Sequence, residues 1–520
     1  MKERAASENP FAFVRLPRDR RAISPSWWRT IAATGTVLSF AATMTLPRTD
    51  TAYPYGSWED AVRVAKQHFD ITEFRPGQRE LFEAVMAGRD AVGIMPTGGG
   101  KSLVYQLASL FLDKPVVVIS PLLALMRDQT DKLDGFDVPG VRIDSTLRAG
   151  ESRDALARVE RGHLDLLFLT PEALRRDEVR AALQNQGVAL FVIDEAHCVS
   201  SWGHDFRPAY LELRDAFELL GRPPVLALTA TATKAVEEDL VAALALREPK
   251  VVRASTVRPN LDLFVARTAS EEAKRATLQS IVEQATDGVG IVYTSTVKRA
   301  DELWGWLRAI EPSARRYHGK LTAAERRESQ AAFMDGSCRV IVATKAFGMG
   351  IDKPDVRYVV HEAFPDSVEA YVQEAGRAGR DGRPARATLM YRLEDRRVQE
   401  YFLRGKYASK AEIKRVLAAW DTGARDVAEL AKVARVTRRK IEALLAGGLD
   451  QALEQLAQRA EARRLADRDR LRGIMKYAEH VGCRWEQVLA HFGEEASGPC
   501  RRCDVCQSLA ASEESTQAAE

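Results

Sequence analysis

The 520-residue chain has almost no excess of charge: 76 Lys and Arg stand against 73 Asp and Glu, a formal net of +3. So small a balance does not mark a nucleic-acid partner, and a track for a polyanion has to come from local asymmetry. Cysteine is scarce, with six residues, and four of these fall late in the chain. Long apolar runs are missing as well. The nearest, residues 31–46, has the look of a signal sequence but is too short and too polar to span a membrane. There is no internal repeat at solenoid spacing and no long low-complexity tract, which excludes repeat arrays. What remains is the composition of a globular protein, 46% hydrophobic and 29% charged. Its length exceeds what one core serves, so three or four domains are expected.

Against this background one loop carries chemistry: Met95-Pro96-Thr97-Gly98-Gly99-Gly100-Lys101-Ser102, directly after the apolar run Val92-Gly93-Ile94. Closely spaced glycines let backbone N–H groups converge on a phosphate, Lys101 can reach the β/γ-phosphates, and the Ser102 hydroxyl can ligate Mg²⁺. The loop departs from the general pattern at Met95, where glycine is usual. A nucleotide site also needs a carboxylate element at the end of a neighbouring buried strand. Leu190-Phe191-Val192-Ile193 followed by Asp194-Glu195-Ala196-His197 supplies it. Asp194 would hold Mg²⁺ with Ser102, and Glu195 would orient or deprotonate the attacking water. Either motif alone reads equally as a glycine-rich turn or a solvated strand end; together they favour nucleotide chemistry.

Further apolar runs alternate with helical stretches: Val116-Val117-Val118-Ile119, Leu166-Leu167-Phe168-Leu169 and Val225-Leu226-Ala227-Leu228. A second set comprises Gly290-Ile291-Val292-Tyr293, Arg315-Arg316-Tyr317, Val340-Ile341-Val342-Ala343, Tyr358-Val359-Val360 and Ala387-Thr388-Leu389-Met390. Such alternation predicts an α/β fold, two tandem parallel-sheet domains with helices on both faces. A ligand between them would sense whether they are open or closed.

More motifs fall in order along the chain. They are Phe74-Arg75-Pro76-Gly77-Gln78, Ser120 through Gln129, Thr170-Pro171-Glu172 and Thr229-Ala230-Thr231-Ala232 in the first half. Residues 343–352 and Gln373-Glu374-Ala375-Gly376-Arg377-Ala378-Gly379-Arg380-Asp381-Gly382 follow in the second. The connector after Asp194-Glu195 holds Trp202, His204, Phe206, Arg207 and Tyr210, and aromatic faces can stack on unpaired bases while an arginine binds phosphate. Late in the chain Cys483, Cys500, Cys503 and Cys506 follow a C-x₁₆-C-x₂-C-x₂-C spacing that can place four thiolates around Zn²⁺. Cys198 and Cys338 read as small buried residues.

This series, from about Phe74 to Cys506, resembles the superfamily 2 helicases and, within them, the RecQ family, with a RecA-like fold for both domains. The resemblance implies an ATP-dependent DNA helicase that moves 3′ to 5′ on single-stranded DNA and unwinds duplexes in recombination and repair. It implies ATP, Mg²⁺ and Zn²⁺ as cofactors. Nucleotide contacts would come from Arg75, Gln78, Thr97, Gly98, Gly99, Gly100, Lys101 and Ser102. Arg380 would be the arginine finger and Arg377 a supporting contact, while Trp202, His204, Phe206 and Arg207 would touch DNA. Single-stranded and branched DNA, and single-strand-binding or recombination proteins, are the implied partners, with no membrane and a cytoplasmic, nucleoid-associated place. An RNA-dependent motor of the same superfamily and a nucleic-acid-binding regulator with a vestigial motor are the alternatives.

The expected domains are a disordered extension over residues 1–54, with Met44 as an alternative start, an ATP-binding domain over 55–270 and a second RecA-like domain over 271–405. A helical insertion over 406–470, suited to a helix-turn-helix or winged helix with Arg438, Arg439 and Lys440 on its basic second helix, comes next. A zinc module over 471–508 and a disordered tail over 509–520 complete the expectation. With polar, acidic residues after Cys506, no further helical domain is expected there, and the resemblance is to a short form of the family.

Overall fold

The computed structural model describes residues 55–162, 164–200, 206–285, 287–348, 351–445, 448–449 and 451–517. The extension expected over residues 1–54 lies outside them, as do Trp202 and His204.

The first sheet has seven strands: β1 (Ala91–Ile94), β2 (Val116–Ile119), β3 (Gly140–Ile143), β4 (Leu166–Leu169), β5 (Leu190–Ile193), β6 (Val225–Thr229) and β7 (Lys250–Arg253). Their order is β3-β4-β2-β5-β6-β1-β7, with every pair parallel. Side chains alternate between two cores: Val117, Ile119, Phe191 and Ile193 face one, and Val116, Val118, Leu190 and Val192 face the other. Burial on both faces is why these strands are unbroken apolar runs. Each buried Val, Leu or Ile contributes about 1.5–3 kcal/mol. Gly93 lets the helix Gln78–Met86 close down on β1, because a Cβ there would lie 2.7 Å from a Leu81 methyl and 2.8 Å from one of Leu228.

The second sheet has six strands: β8 (Leu261–Arg267), β9 (Val289–Tyr293), β10 (Arg315–Tyr317), β11 (Val340–Ala343), β12 (Val356–His361) and β13 (Ala385–Tyr391). They run parallel in the order β10-β11-β9-β12-β13-β8. β8 corrects the expected boundary at 270. It pairs along its whole length with β13, so the second domain begins before Leu261 and the linker is the short stretch after Arg253.

The remaining chain is helical. Helices Lys410–Asp421, Val427–Ala434 and Arg438–Leu445 enclose a small core of Ile413, Val416, Leu430, Ile441 and Leu444. Ser409 and Glu412 form a reciprocal cap at the start of the first of them, satisfying N–H groups that the helix leaves open. The turn before Arg438 carries Arg435 at φ 53°, as a helix-turn-helix connection needs. No strand occurs between 406 and 470 among the described residues, so the winged-helix alternative has no wing there. The helix Leu453–Glu479 runs straight through the expected boundary at 470, joining the helical segment to the zinc module. The tail is corrected too: Asp504–Gln517 is a helix, anchored at its first turn by the Arg484–Asp504 pair. No helix among the described residues is long and apolar enough to cross a membrane.

Candidate functional site

The glycine-rich loop follows β1, and the helix Lys101–Ser109 starts immediately after it. Gly98 and Gly100 take φ of 76° and 71°, values that other residues reach only with strain. No side chain caps the helix, so its first N–H groups remain for an anionic ligand. The cradle is tight: a Cβ at Gly99 would sit 2.8 Å from the Pro96 carbonyl, and one at Gly100 would sit 2.5 Å from the Gln78 amide. Lys101 Nζ donates to the carbonyls of Met95 (3.1 Å) and Pro96 (3.4 Å), which parks the ammonium inside the loop. Removal from water lowers the Lys101 pKa, against the pull of Glu195 and Asp194, and Arg380 adds to the lowering.

Gln78, the expected adenine contact, has both ends of its amide bonded within the protein. Its amide nitrogen donates to the Gly100 carbonyl of the loop (2.7 Å), and its oxygen accepts from the Arg75 N–H (2.7 Å) in the turn before its own helix. An adenine edge would have to exchange for one of these partners. Arg75 itself is exposed at the rim, with its Cδ 3.8 Å from the Cβ position of Gly100.

At the end of β5, Asp194 is buried and accepts from the Ser120 hydroxyl (3.3 Å) at the end of β2. Burial, and then the neighbouring Glu195, push its pKa up to about 7. A carboxyl so poised gains from a cation, which suits a Mg²⁺ ligand. Glu195 sits at φ 49°, a conformation uncommon outside glycine, and this turns its carboxylate to within 3.4 Å of His197 Nδ1. The same nitrogen lies 3.0 Å from the Thr229 hydroxyl, which also accepts from the Thr231 N–H (3.2 Å). The residues around Glu195 are thereby wired to the loop after β6.

The second sheet answers with cations. Gly376, at the end of the helix Val368–Ala375, abuts the loop: its Cβ position is 3.1 Å from Thr97 Cβ. Arg380 reaches the same place, with its Cγ 3.5 Å from the Cβ position of Gly98. Burial, reinforced by Arg377, lowers the Arg380 pKa, while Asp352 (2.8 Å) holds its guanidinium. Asp352 in turn accepts from Lys132 (2.6 Å) of the first domain. Burial opposes its charge, yet Lys132 and Arg380 keep its pKa below the ordinary value. Arg377 is buried and donates to the Gly348 carbonyl, between the two strands' loops.

One residue that motif reasoning missed lies at the centre. Arg258, from the linker before β8, donates to the carbonyls of Thr97 (3.1 Å), Gly376 (3.2 Å), Ala378 (3.2 Å) and Gly379 (2.5 Å). Burial first, then Arg380 and Arg75, lowers its pKa to about 10. Nothing in the local sequence marks it, because all these partners are backbone.

Beside Glu195 and His197 the two domains and the helical segment enclose a cleft of about 600 Å³. Phe206 forms part of its wall, with the Arg463 guanidinium 4.6 Å over the ring. Arg207 donates to the Pro121 carbonyl (3.4 Å), tying the aromatic connector to the loop after β2. Of the three basic residues expected on the second helix of the insertion, Arg439 lines the cleft, and Lys440 is spent on Glu412 at 2.9 Å.

The four late cysteines do converge. Their Sγ atoms lie within 4.8 Å of one another, and Cys483, Cys503 and Cys506 are buried. Zn–S bonds of about 2.3 Å in a tetrahedron need S···S edges of about 3.8 Å, so the donor set fits Zn²⁺. Backbone N–H groups of Cys500 and Cys503 point at Sγ of Cys483 (3.2 Å) and Cys500 (3.4 Å), the outer support that thiolates require. Cys198 and Cys338 are buried and apart from this cluster, as expected.

Two parallel-sheet domains, one carrying a phosphate cradle and the other bringing Arg380 against it, are the arrangement of the DEAD/DEAH-box class of helicase. Family models agree: DEAD/DEAH box helicase matches residues 75–239, helicase conserved C-terminal domain 273–382 and RecQ zinc-binding 432–507. The chain is 42% identical over 353 residues to the probable ATP-dependent DNA helicase RecS of Bacillus subtilis, covering 68% of this chain and 71% of that protein. It is 33% identical over 482 residues to the ATP-dependent DNA helicase RecQ of Synechocystis, covering 86% and 98%. Against the Pasteurella multocida RecQ it is 34% identical and spans 62% of that longer protein. Solved structures share the fold, among them Saccharomyces cerevisiae Dbp5 bound to RNA (TM-score 0.54, 19% identity, 66% of this chain and 93% of that one). The chain belongs to the RecQ family of ATP-dependent DNA helicases.

Proposed function

We propose that the protein hydrolyses ATP to move 3′ to 5′ along single-stranded DNA and to separate the duplex ahead, in DNA recombination and repair. The observation that carries this reading is the meeting of Arg380 with the loop of the other domain, its Cγ 3.5 Å from the Cβ position of Gly98. Phosphoryl transfer needs cations where charge develops on the γ-phosphate, and cations from a second domain deliver them only in the closed cleft. Thr97, Gly98, Gly99, Gly100 and Lys101 would hold the phosphates, Ser102 and Asp194 the Mg²⁺, and Arg75 with Gln78 the base. When bound, Mg²⁺ neutralises phosphate charge. Glu195 takes the proton of the attacking water, and Arg377 fixes the segment that carries Arg380. A strand lying along the Phe206 wall, beside Glu195 and His197, would sit next to the hydrolytic carboxylate, which is how DNA would gate turnover.

The DNA track in this reading runs through the 600 Å³ cleft, with Phe206 and Arg207 among its contacts and Trp202 and His204 from the same connector. Cys483, Cys500, Cys503 and Cys506 hold Zn²⁺ as a folding element. The domains are an ATP-binding unit up to the linker, a second RecA-like unit, a helix-turn-helix segment and the zinc module. Single-strand-binding or recombination proteins are the proposed partners, in the cytoplasm at the nucleoid.

The test is strand displacement on 3′-tailed, 5′-tailed and forked duplexes, alongside ATPase with matched DNA and RNA strands. Opening of 3′-tailed and forked substrates with DNA-stimulated ATPase supports the reading. Stimulation by RNA alone, or preference for 5′ tails, overturns it.

A further inference from the structure

The linker between the sheets is held from two sides. On one side the zinc module grips its backbone: Glu494 accepts from the Thr256 N–H (3.1 Å), Arg502 donates to the Arg258 carbonyl (2.8 Å), and Trp485 Nε1 donates to the Leu261 carbonyl (3.1 Å). Arg502 lies between Cys500 and Cys503, so its backbone belongs to the knuckle that brings these two thiols together. On the other side the Arg258 side chain enters the nucleotide cradle, bridging Thr97 of the first domain to Gly376, Ala378 and Gly379 of the second.

The charge of Arg258 is unusual for so enclosed a group. Its hydrogen bonds go to neutral oxygens, and no carboxylate lies within ion-pair distance of it among the described residues. Burial first, then Arg380 and Arg75, disfavour its protonated form, and the more distant Asp381 only partly offsets them. A half-buried cation with no carboxylate in hydrogen-bond range costs free energy that an arriving anion would offset. The cradle beside it is built to receive one.

We propose that Arg258 is a positioning residue that couples the nucleotide cradle to the zinc knuckle. Phosphate charge in the cradle stabilises the guanidinium where it clamps Thr97 to the Gly376–Gly379 segment, and the fixed linker carbonyl holds Arg502 and its knuckle. By linkage the effect is reciprocal: nucleotide binding steadies the zinc site, and an intact knuckle steadies the register of Arg380 over the loop. This rests on the nucleotide reading of the site, but not on DNA unwinding.

The experiment measures release of Zn²⁺ from the full chain to a chromogenic chelator, with and without ADP or a non-hydrolysable ATP analogue. Nucleotide is expected to slow release about three- to tenfold in the unaltered protein. The slowing disappears in Arg258→Gln and in Arg502→Ala, both of which still bind one equivalent of Zn²⁺. Arg258→Lys keeps the charge but not the four-carbonyl clamp, and it lowers kcat for ATP about tenfold or more with KM changed less than about threefold. No nucleotide effect in the unaltered protein, or an effect that persists in Arg258→Gln, overturns the coupling. So does loss of zinc and cooperative unfolding in both Arg258 variants, which would assign the residue to folding alone. If ADP binding itself is undetectable, the nucleotide reading falls, and the coupling with it. A helicase that binds ADP and unwinds DNA but shows no effect on zinc release defeats only the coupling.

Discussion

The two parallel sheets are built alike and bring opposite charge to their shared cleft. The first ends in Asp194 and Glu195 around a loop that is complete by itself, with Lys101 already hydrogen-bonded to Met95 and Pro96. The second ends in Arg377, which holds the Gly348 carbonyl, and Arg380, which comes up against the loop where Gly376 touches Thr97. The contrast separates two tasks. In the proposed reading, holding a nucleotide belongs to one sheet and hydrolysing it needs both, which would make cleft closure the controlled step.

Arg380→Ala should break the comparison most sharply. If Arg380 acts as the proposed finger, its removal lowers kcat about 10³- to 10⁵-fold, while nucleotide affinity by calorimetry changes only a few-fold. If affinity collapsed with turnover, the second sheet would be part of the binding half and the division would be wrong. Glu195→Gln tests the other side. It retains the shape of the residue but loses the base, so steady-state hydrolysis should drop about 10²- to 10⁴-fold with nucleotide still bound. A variant that binds poorly would mean that Glu195 chiefly holds the metal.

These roles differ in how they could be read from the chain. The loop, the Asp194-Glu195 pair and the four cysteines are contiguous or closely spaced, and the central strands are unbroken apolar runs. The three strands that escaped notice, β3, β7 and β8, are all sheet edges. Edge strands need bury only part of their surface and carry charge to block further pairing, as Lys250, Arg253, Asp262 and Arg267 do. Missing β8 is what misplaced the domain boundary. The polar C-terminal residues suggested disorder because helix formation there depends on an anchor, Arg484 on Asp504, that composition cannot display. Arg258 was invisible for a different reason. It binds backbone carbonyls more than a hundred residues away in both directions, and a carbonyl belongs to every residue type.

Phe206→Ala probes the junction beside the acidic half. Stacking on a base is worth about 1–3 kcal/mol, and the ring already receives Arg463 at 4.6 Å. The DNA concentration giving half-maximal ATPase stimulation should rise about tenfold. An unchanged value would move the track away from this wall of the cleft.

The smallest effect belongs to the direct ion pair between the halves. Lys132 of the first domain meets Asp352 of the second at 2.6 Å, but the two side chains keep 40% and 42% of their exposure. A pair so open to water contributes about 0.2–1 kcal/mol and is screened by salt. Lys132→Ala should therefore reduce kcat by no more than about fivefold, with the difference fading as ionic strength rises. Asp352→Asn removes the same pair and also the carboxylate that holds Arg380 at 2.8 Å. Its loss should exceed that of Lys132→Ala and persist in high salt, because the Arg380 side chain is only 15% exposed. Equal losses in the two variants would show that the latch across the cleft, rather than the aim of the finger, is what Asp352 provides.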